Sequence, residues 1–275
     1  MVAASGQEGE RELKDVTSVL VTSVFAPLTL VLAGCDATLP PLRGKLDVGR
    51  DAYAVFVGGG ALSSDLYTVS ADGGPAYPLT YTPVAESKPA LSPDGSTVAF
   101  LRAKSLRDST PGTVWVLNLL SGADRELQLP KGAGVPRRLG WLRGAATLVI
   151  ETDRGRYLLD APPAPTRGRP VPAGLQHQAD SALAILLGDP VFARVVSCQA
   201  ADELCVVGDT GTPGFLARGA HDPLRWGPDS VAFLLGTRLE IRPLARGRPR
   251  RLAWSHLPDN PRQPTFFPGA PSNAQ

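Results

Sequence analysis

The chain predicts an all-β fold assembled from repeats, and three observations carry that reading. From Ala52 onward, short apolar runs alternate with clusters of Gly, Pro, Asp and Ser, and no segment keeps a helical period over three turns. A tight turn followed by an apolar strand recurs along the chain. Gly and Pro number 29 and 27 of 275 residues while apolar content reaches 43%. That is the composition of a folded chain rich in tight turns, not of a disordered one.

The N-terminal region fixes the expected compartment. Val16 to Gly34 contains no charged residue, a length that suits the apolar core of an export signal or, at the limit, one membrane-spanning helix. The run ends in Leu32-Ala33-Gly34-Cys35. Two small residues let the backbone enter a peptidase groove, and Cys35 supplies the thiol that diacylglycerol transfer needs. These four residues resemble the bacterial lipoprotein signal, the lipobox. The resemblance implies cleavage between Gly34 and Cys35, lipid on the Cys35 sulfur and a further acyl chain on its new amino group. Each buried methylene adds about 0.8 kcal/mol, so several chains hold where one would not. Residues 1–15 depart from the pattern, since Arg11 and Lys14 are outnumbered by Glu8, Glu10, Glu12 and Asp15. Translation is therefore expected to begin further along. The alternative is an uncleaved anchor helix.

Beyond Cys35 the expected division is a tether over 36–50, carrying Pro40, Pro41 and Gly44, and a single domain over 51–271. The decisive segment is Lys88 to Arg102. Ser92-Pro93-Asp94-Gly95 reads as a turn: Pro93 presets φ, Asp94 suits the next position and Gly95 permits the exit. The strand Thr97–Leu101 follows. The shape recurs at Leu224 to Leu235, with Gly227-Pro228-Asp229-Ser230 before Val231-Ala232-Phe233, and in worn form at Leu139 to Glu151. Trp141 and Trp226 stand in equivalent places just before their turns.

These copies resemble the Ser-Pro-Asp-Gly repeats of TolB-type β-propellers. Repeats of this length imply blades of four strands. Second strands are expected near Phe56, Phe100, Val149, Val196 and Phe233, with outermost strands near 76–80, 125–129, 169–171, 215–217 and 250–253. The first blade lacks an inner strand. The C-terminal Gln263-Pro264-Thr265-Phe266-Phe267-Pro268 mimics Lys88-Pro89-Ala90-Leu91-Ser92-Pro93 and is expected to supply it, closing the ring. Five blades are favoured, with six as runner-up, the usual number for the family.

Chemistry is sparse. There is no Gly-x-Ser-x-Gly elbow, and Gly58-Gly59-Gly60 lacks the Lys and Ser/Thr of a phosphate loop. His177, His221 and His256 are scattered, so no metal or cofactor is expected. Cys198 and Cys205 stand on two strand-like flanks and read either as a hairpin disulfide in an oxidising envelope or as two buried thiols. Asp51, Glu86, Asp180 and Asp222 each precede an expected inner or second strand. They are the positions a propeller glycosidase would use, but they share no local motif, and turn or capping acids are the favoured reading. The arginines at 137–138, 167, 169, 246, 248, 250 and 251 read as charged sheet edges, or else as a band for lipid phosphates or acidic polymers. A net charge of +2 gives no field for nucleic acid.

The expectation is thus a monomeric, membrane-anchored lipoprotein facing the periplasm or exterior. It would act as a non-catalytic protein-binding scaffold with an envelope protein as partner. The competing expectation is a carbohydrate-active enzyme or sugar-binding lectin on a five-bladed propeller. Two or three carboxylates converging on a tunnel mouth would favour the enzyme, and a tunnel of small apolar groups the scaffold.

Overall fold

The computed structural model describes residues 42, 44–60, 62–104, 112–161, 168–183, 195–198, 203–207, 213–225, 230–236, 238–243, 250–251 and 254–269. Gly34, Cys35 and the turn Gly227-Pro228-Asp229 lie outside these residues. So do Trp226, Arg167, Arg246 and Arg248.

The strands form successive antiparallel meanders. In the first, β1 (Tyr53–Gly59) pairs β2 (Ser64–Ser70), and the two-residue β3 (Gly74–Pro75) and β4 (Tyr77–Pro78) follow. The second runs β5 (Ala85–Leu91), β6 (Thr97–Ala103), β7 (Thr113–Asn118) and β8 (Asp124–Leu127). The third runs β9 (Pro136–Trp141), β10 (Thr147–Thr152), β11 (Arg156–Asp160) and β12 (Arg169–Pro170). A 3₁₀ turn (Ala173–Leu175) then leads into α1 (Gln176–Leu183). The fourth meander comprises β13 (Val195–Ser197), β14 (Glu203–Val207) and β15 (Pro213–Arg218). The fifth comprises β16 (Ala220–Arg225), β17 (Ser230–Leu235), β18 (Arg238–Pro243) and β19 (Arg250–Arg251). Then come β20 (Trp254–Ser255), which pairs β3 in parallel, and β21 (Arg262–Phe267).

The chain returns to its beginning. β21 pairs antiparallel with β1, Tyr53 opposite Phe267 and Val57 opposite Arg262. It is the strand the first meander lacked, so the free edge of β1 is covered.

Packing follows from the period of two along each strand. In β6, Val98 and Phe100 point toward the first meander and pack with Tyr53, Val55, Leu66 and Phe267. Ala99 and Leu101 point the other way and pack with Leu139, Trp141, Leu148 and Ile150 of the third. Both faces of the strand are covered, which is why Val98-Ala99-Phe100-Leu101 is a continuous apolar run. The fourth and fifth meanders join in the same manner through Leu204, Leu216, Val231 and Phe233. Each fully buried large side chain contributes about 1.5–3 kcal/mol, so the face-to-face contacts dominate stability.

Two expectations change. The fold is mostly β but contains α1, and Asp180 lies within that helix instead of before a strand. Ala179 and Leu183, four apart, bury against Leu142, Val149, Leu158 and Val171. Two turns of helix are too short for a periodicity test over three. The expected tether is also partly structure. Leu42 accepts from the Lys45 and Leu46 amides (2.9 and 3.1 Å), and Leu42 and Leu46 are buried in the core beside Leu91 and Leu119.

The outer strands β4 and β12 have two residues each, which limits edge exposure, and β19 is described over two. Arg169, Arg250 and Arg251 fall on them, whereas Arg137 and Arg138 lie on β9 at the inner side of the third meander. Cys198 and Cys205 are bridged, their Cα atoms 5.3 Å apart.

Candidate functional site

The inner strands β5, β9, β16 and β21 and the C-terminal end of α1 enclose a cavity of about 680 Å³. Its position follows from a sequence feature repeated three times. Lys88-Pro89 in β5, Asp222-Pro223 in β16 and Gln263-Pro264 in β21 each interrupt their ladder. In each case two residues of the inner strand face one residue of the second strand: Phe100, Phe233 and Phe56 respectively. Proline has no N–H to give the ladder, so the loss of pairing costs little there. The residue before it turns left-handed, with φ of 54°, 48° and 52° at Lys88, Asp222 and Gln263. Non-glycine residues rarely adopt that conformation, which costs on the order of 1–3 kcal/mol each.

What the bulges achieve is a belt of hydrogen bonds between meanders. The freed amide of Gln263 donates to Asp222 Oδ2 at 3.0 Å, and the freed amide of Lys88 donates to Gln263 Oε1 at 2.7 Å. The bulge amides of Gln263 and Lys88 are therefore each capped by the side chain of the bulge residue in the adjoining meander. Lys88 has no acceptor to continue the series, and its ammonium donates to the Arg137 carbonyl instead. The Arg138 guanidinium donates to the Leu183 carbonyl at the end of α1. Leu91 N–H to Thr265 Oγ1 (3.3 Å) and Trp141 Nε1–H to the Ala90 carbonyl (2.9 Å) run parallel to the belt.

Cations outnumber anions along this wall. Lys88, Arg138 and Arg143 line the cavity, and Asp222 is the one carboxylate among the described lining residues. Arg138 also meets Glu151 at 3.3 Å. Burial lowers the pKa of the Lys88 ammonium, and the charges of Arg137 and Arg138 lower it further. Most of the rest of the lining is apolar: Leu91, Leu139, Trp141, Phe266, Phe267 and five prolines.

The sequence-predicted residues are placed as follows. Ser92 and Pro93 line the cavity, and the Ser92–Gly95 turn is self-bonded. Asp94 accepts from Ser92 Oγ (2.5 Å), the Ser96 amide (3.1 Å) and Ser96 Oγ (2.8 Å). Burial acts to raise the Asp94 pKa, but these bonds outweigh it and hold the carboxyl below its usual range. Asp51 sits just after the docked tether and accepts from the Asp47 amide at 2.8 Å. Asp180 pairs with Arg156 at 2.5 Å. Glu86 is buried and held by Arg102 at 2.8 Å and by the Thr80 hydroxyl. Burial raises its pKa despite those partners. The four candidate acids therefore do not converge. Among the described residues no cluster of three or more His, Cys, Asp or Glu side chains forms a metal site.

The belt was not anticipated. Its signal was present in the X-Pro pairs that recur within β5, β16 and β21. Arg138, Ser181 and the Leu183 carbonyl carried no such signal, because they depend on where α1 docks. Gly140 is what allows that docking: a Cβ there would lie 2.0 Å from the Ala182 carbonyl oxygen.

No family model matches the chain, and no curated protein matches it. Among solved structures, TolB from Acinetobacter baumannii is similar at 13% identity with a TM-score of 0.40. The match covers 78% of this chain and 66% of that one, just under two thirds of its length. A putative TolB from Agrobacterium tumefaciens matches at 12% identity over 79% and 69% of the two chains, with a TM-score of 0.35. A periplasmic gluconolactonase from Pseudomonas aeruginosa matches at 14% over 82% and 70%, with a TM-score of 0.32. Likeness at this level carries no inference about site or activity.

Proposed function

We propose that this chain is a lipid-anchored β-propeller of five blades, exported to the cell envelope, that binds a protein partner at the cavity mouth and catalyses nothing. The observation that carries the reading is the cavity wall. It is built by separate meanders, held rigid by the Asp222–Gln263–Lys88 belt, lined mainly by apolar side chains, and has a single carboxylate among its described residues. Glycoside hydrolysis needs two carboxyls flanking one bond, and Glu86, Asp51 and Asp180 stand elsewhere. Rigid walls with apolar patches and a few fixed polar groups suit recognition. The excess of cations suits an acidic partner segment. The anchor part of the reading rests on Leu32-Ala33-Gly34-Cys35, and the closure of the propeller on the β21–β1 ladder.

The test is photo-crosslinking in intact cells. A photoreactive residue placed at Pro93 or Pro268, both exposed on the cavity lining, should capture one defined protein. The same residue at Arg125, on the outer strand β8, should not. Capture of the same species from position 125, or none from positions 93 and 268, contradicts the proposal. Release of sugar from an envelope glycan by the purified protein would support the enzyme instead.

A further inference from the structure

The docked tether has a consequence for how the molecule meets the membrane, one that depends on the anchor reading above. Leu42 and Leu46 are fixed in the core, 5% and 6% exposed. They sit at the end of the strands that carries the Ser92–Gly95 and Asn118–Gly122 turns. The Leu119 amide donates to the Ser96 carbonyl (2.9 Å), and a Cβ at Gly49 would lie 3.3 Å from the Asp94 carbonyl. A groove of about 580 Å³ opens there between Leu42, Leu46, Val48, Leu119 and Leu120, with Lys45, Asp47 and Asp51 beside it. Leu120 is 56% exposed at the tip of its turn. The opposite end carries Tyr81, 80% exposed, where the Thr82 amide is tied to Asp65 at 2.8 Å.

The length of the connector decides which end faces lipid. From Cys35 to Leu42 is seven residues, spanning roughly 15 Å as a flexible coil, about 22 Å in the extended form that Pro40 and Pro41 favour, and about 25 Å at the limit. A seven-residue strand such as β6 or β1 separates the two ends by about 24 Å. A relaxed connector therefore reaches the bilayer from the Leu120 end, and only a fully stretched one reaches it from the Tyr81 end.

We infer that the anchored protein rests on the bilayer by the Leu42–Leu120 end, with Leu120 and its groove at the lipid headgroups. Pro93 and Pro268 lie at the same end of their strands, so this exposed part of the cavity lining faces the membrane side. The partner must then present its binding segment close to the bilayer.

The experiment uses the full-length acylated protein in vesicles of phosphatidylethanolamine and phosphatidylglycerol. Of the three cysteines, one carries lipid in this reading and two are bridged, so an introduced cysteine is the sole free thiol. Fluorophores are placed in Leu120→Cys and Tyr81→Cys variants, and headgroup-labelled nitroxide lipid is the quencher. Emission should be lost at position 120 and retained at 81. A long Gly-Ser insertion after Asp36 should abolish the difference. Equal quenching at both positions in protein of verified acyl mass overturns the orientation and leaves the anchor standing. A mature chain without acyl mass overturns the anchor reading and this inference with it.

Discussion

The backbone amide of Lys88 donates to the side-chain oxygen of Gln263 at 2.7 Å, across 175 residues of sequence. The bond joins the inner strand of the second meander to the last strand of the chain, and it exists because both residues sit on left-handed bulges before proline. Gln263→Ala should cost about 1–2 kcal/mol, the penalty of a stranded amide in a partly solvated wall. Gln263→Glu, which keeps an acceptor, should recover most of it. Urea denaturation of the three proteins measures both effects.

Gly95 is a second point of contact with the last strand. Its φ is +69°, and a Cβ there would stand 2.8 Å from the Phe267 ring. Tyr53 donates to the Gly95 carbonyl and packs on Phe267 at 5.5 Å between ring centroids. Gly95→Ala should cost about 2–4 kcal/mol from backbone strain and ring displacement together. Because the two sites touch, adding Phe267→Leu should cost less than the sum of the single changes. Strict additivity in the double-mutant cycle would mean the ring does not meet this turn.

Arg102 holds a buried acid in place. It bonds Glu86 and Asp124, both at 2.8 Å, while its guanidinium lies 4.0 Å from the centre of the Trp115 ring. Arg102→Ala leaves Glu86 buried without its cation and should cost about 3–5 kcal/mol. The Glu86→Gln/Arg102→Ala double variant should be more stable than Arg102→Ala alone. Thermal melts at neutral pH make the comparison.

Asp94 gives a pH signature. Hydrogen bonds from Ser92 and Ser96 outweigh burial and depress its pKa in the folded state. A depressed acid contributes stability above its unfolded value, about 3.9, and that contribution is lost as pH falls through the folded value. The stability gap between the wild-type chain and Asp94→Asn should therefore be present at pH 7 and close as the pH drops below about 4. A gap independent of pH would place the effect in turn geometry alone.

The strands were legible because each carries its own local signal. Val98-Ala99-Phe100 and Val231-Ala232-Phe233 are apolar runs set off by turn residues, and the likeness of Gln263-Pro264 to Lys88-Pro89 pointed to the strand that meets β1. The belt was only half legible. Local sequence shows the X-Pro pairs, but not that Asp222 caps Gln263 and Gln263 caps Lys88, because those bonds depend on meanders lying side by side. α1 was missed because eight residues give only two turns, with Ala179 and Leu183 as the only buried pair. The docked tether was missed for a similar reason: Leu42 and Leu46 are two isolated apolar residues among prolines, glycines and charges.

β21 completes the fold by pairing with β1. The direct measurement is thermal unfolding of a chain ending at Pro261, without β21, beside the full chain. The shortened protein should show no cooperative transition, since Tyr53–Val57 would lose their ladder and Phe267 would leave the core. Melting of both proteins at the same temperature would contradict it.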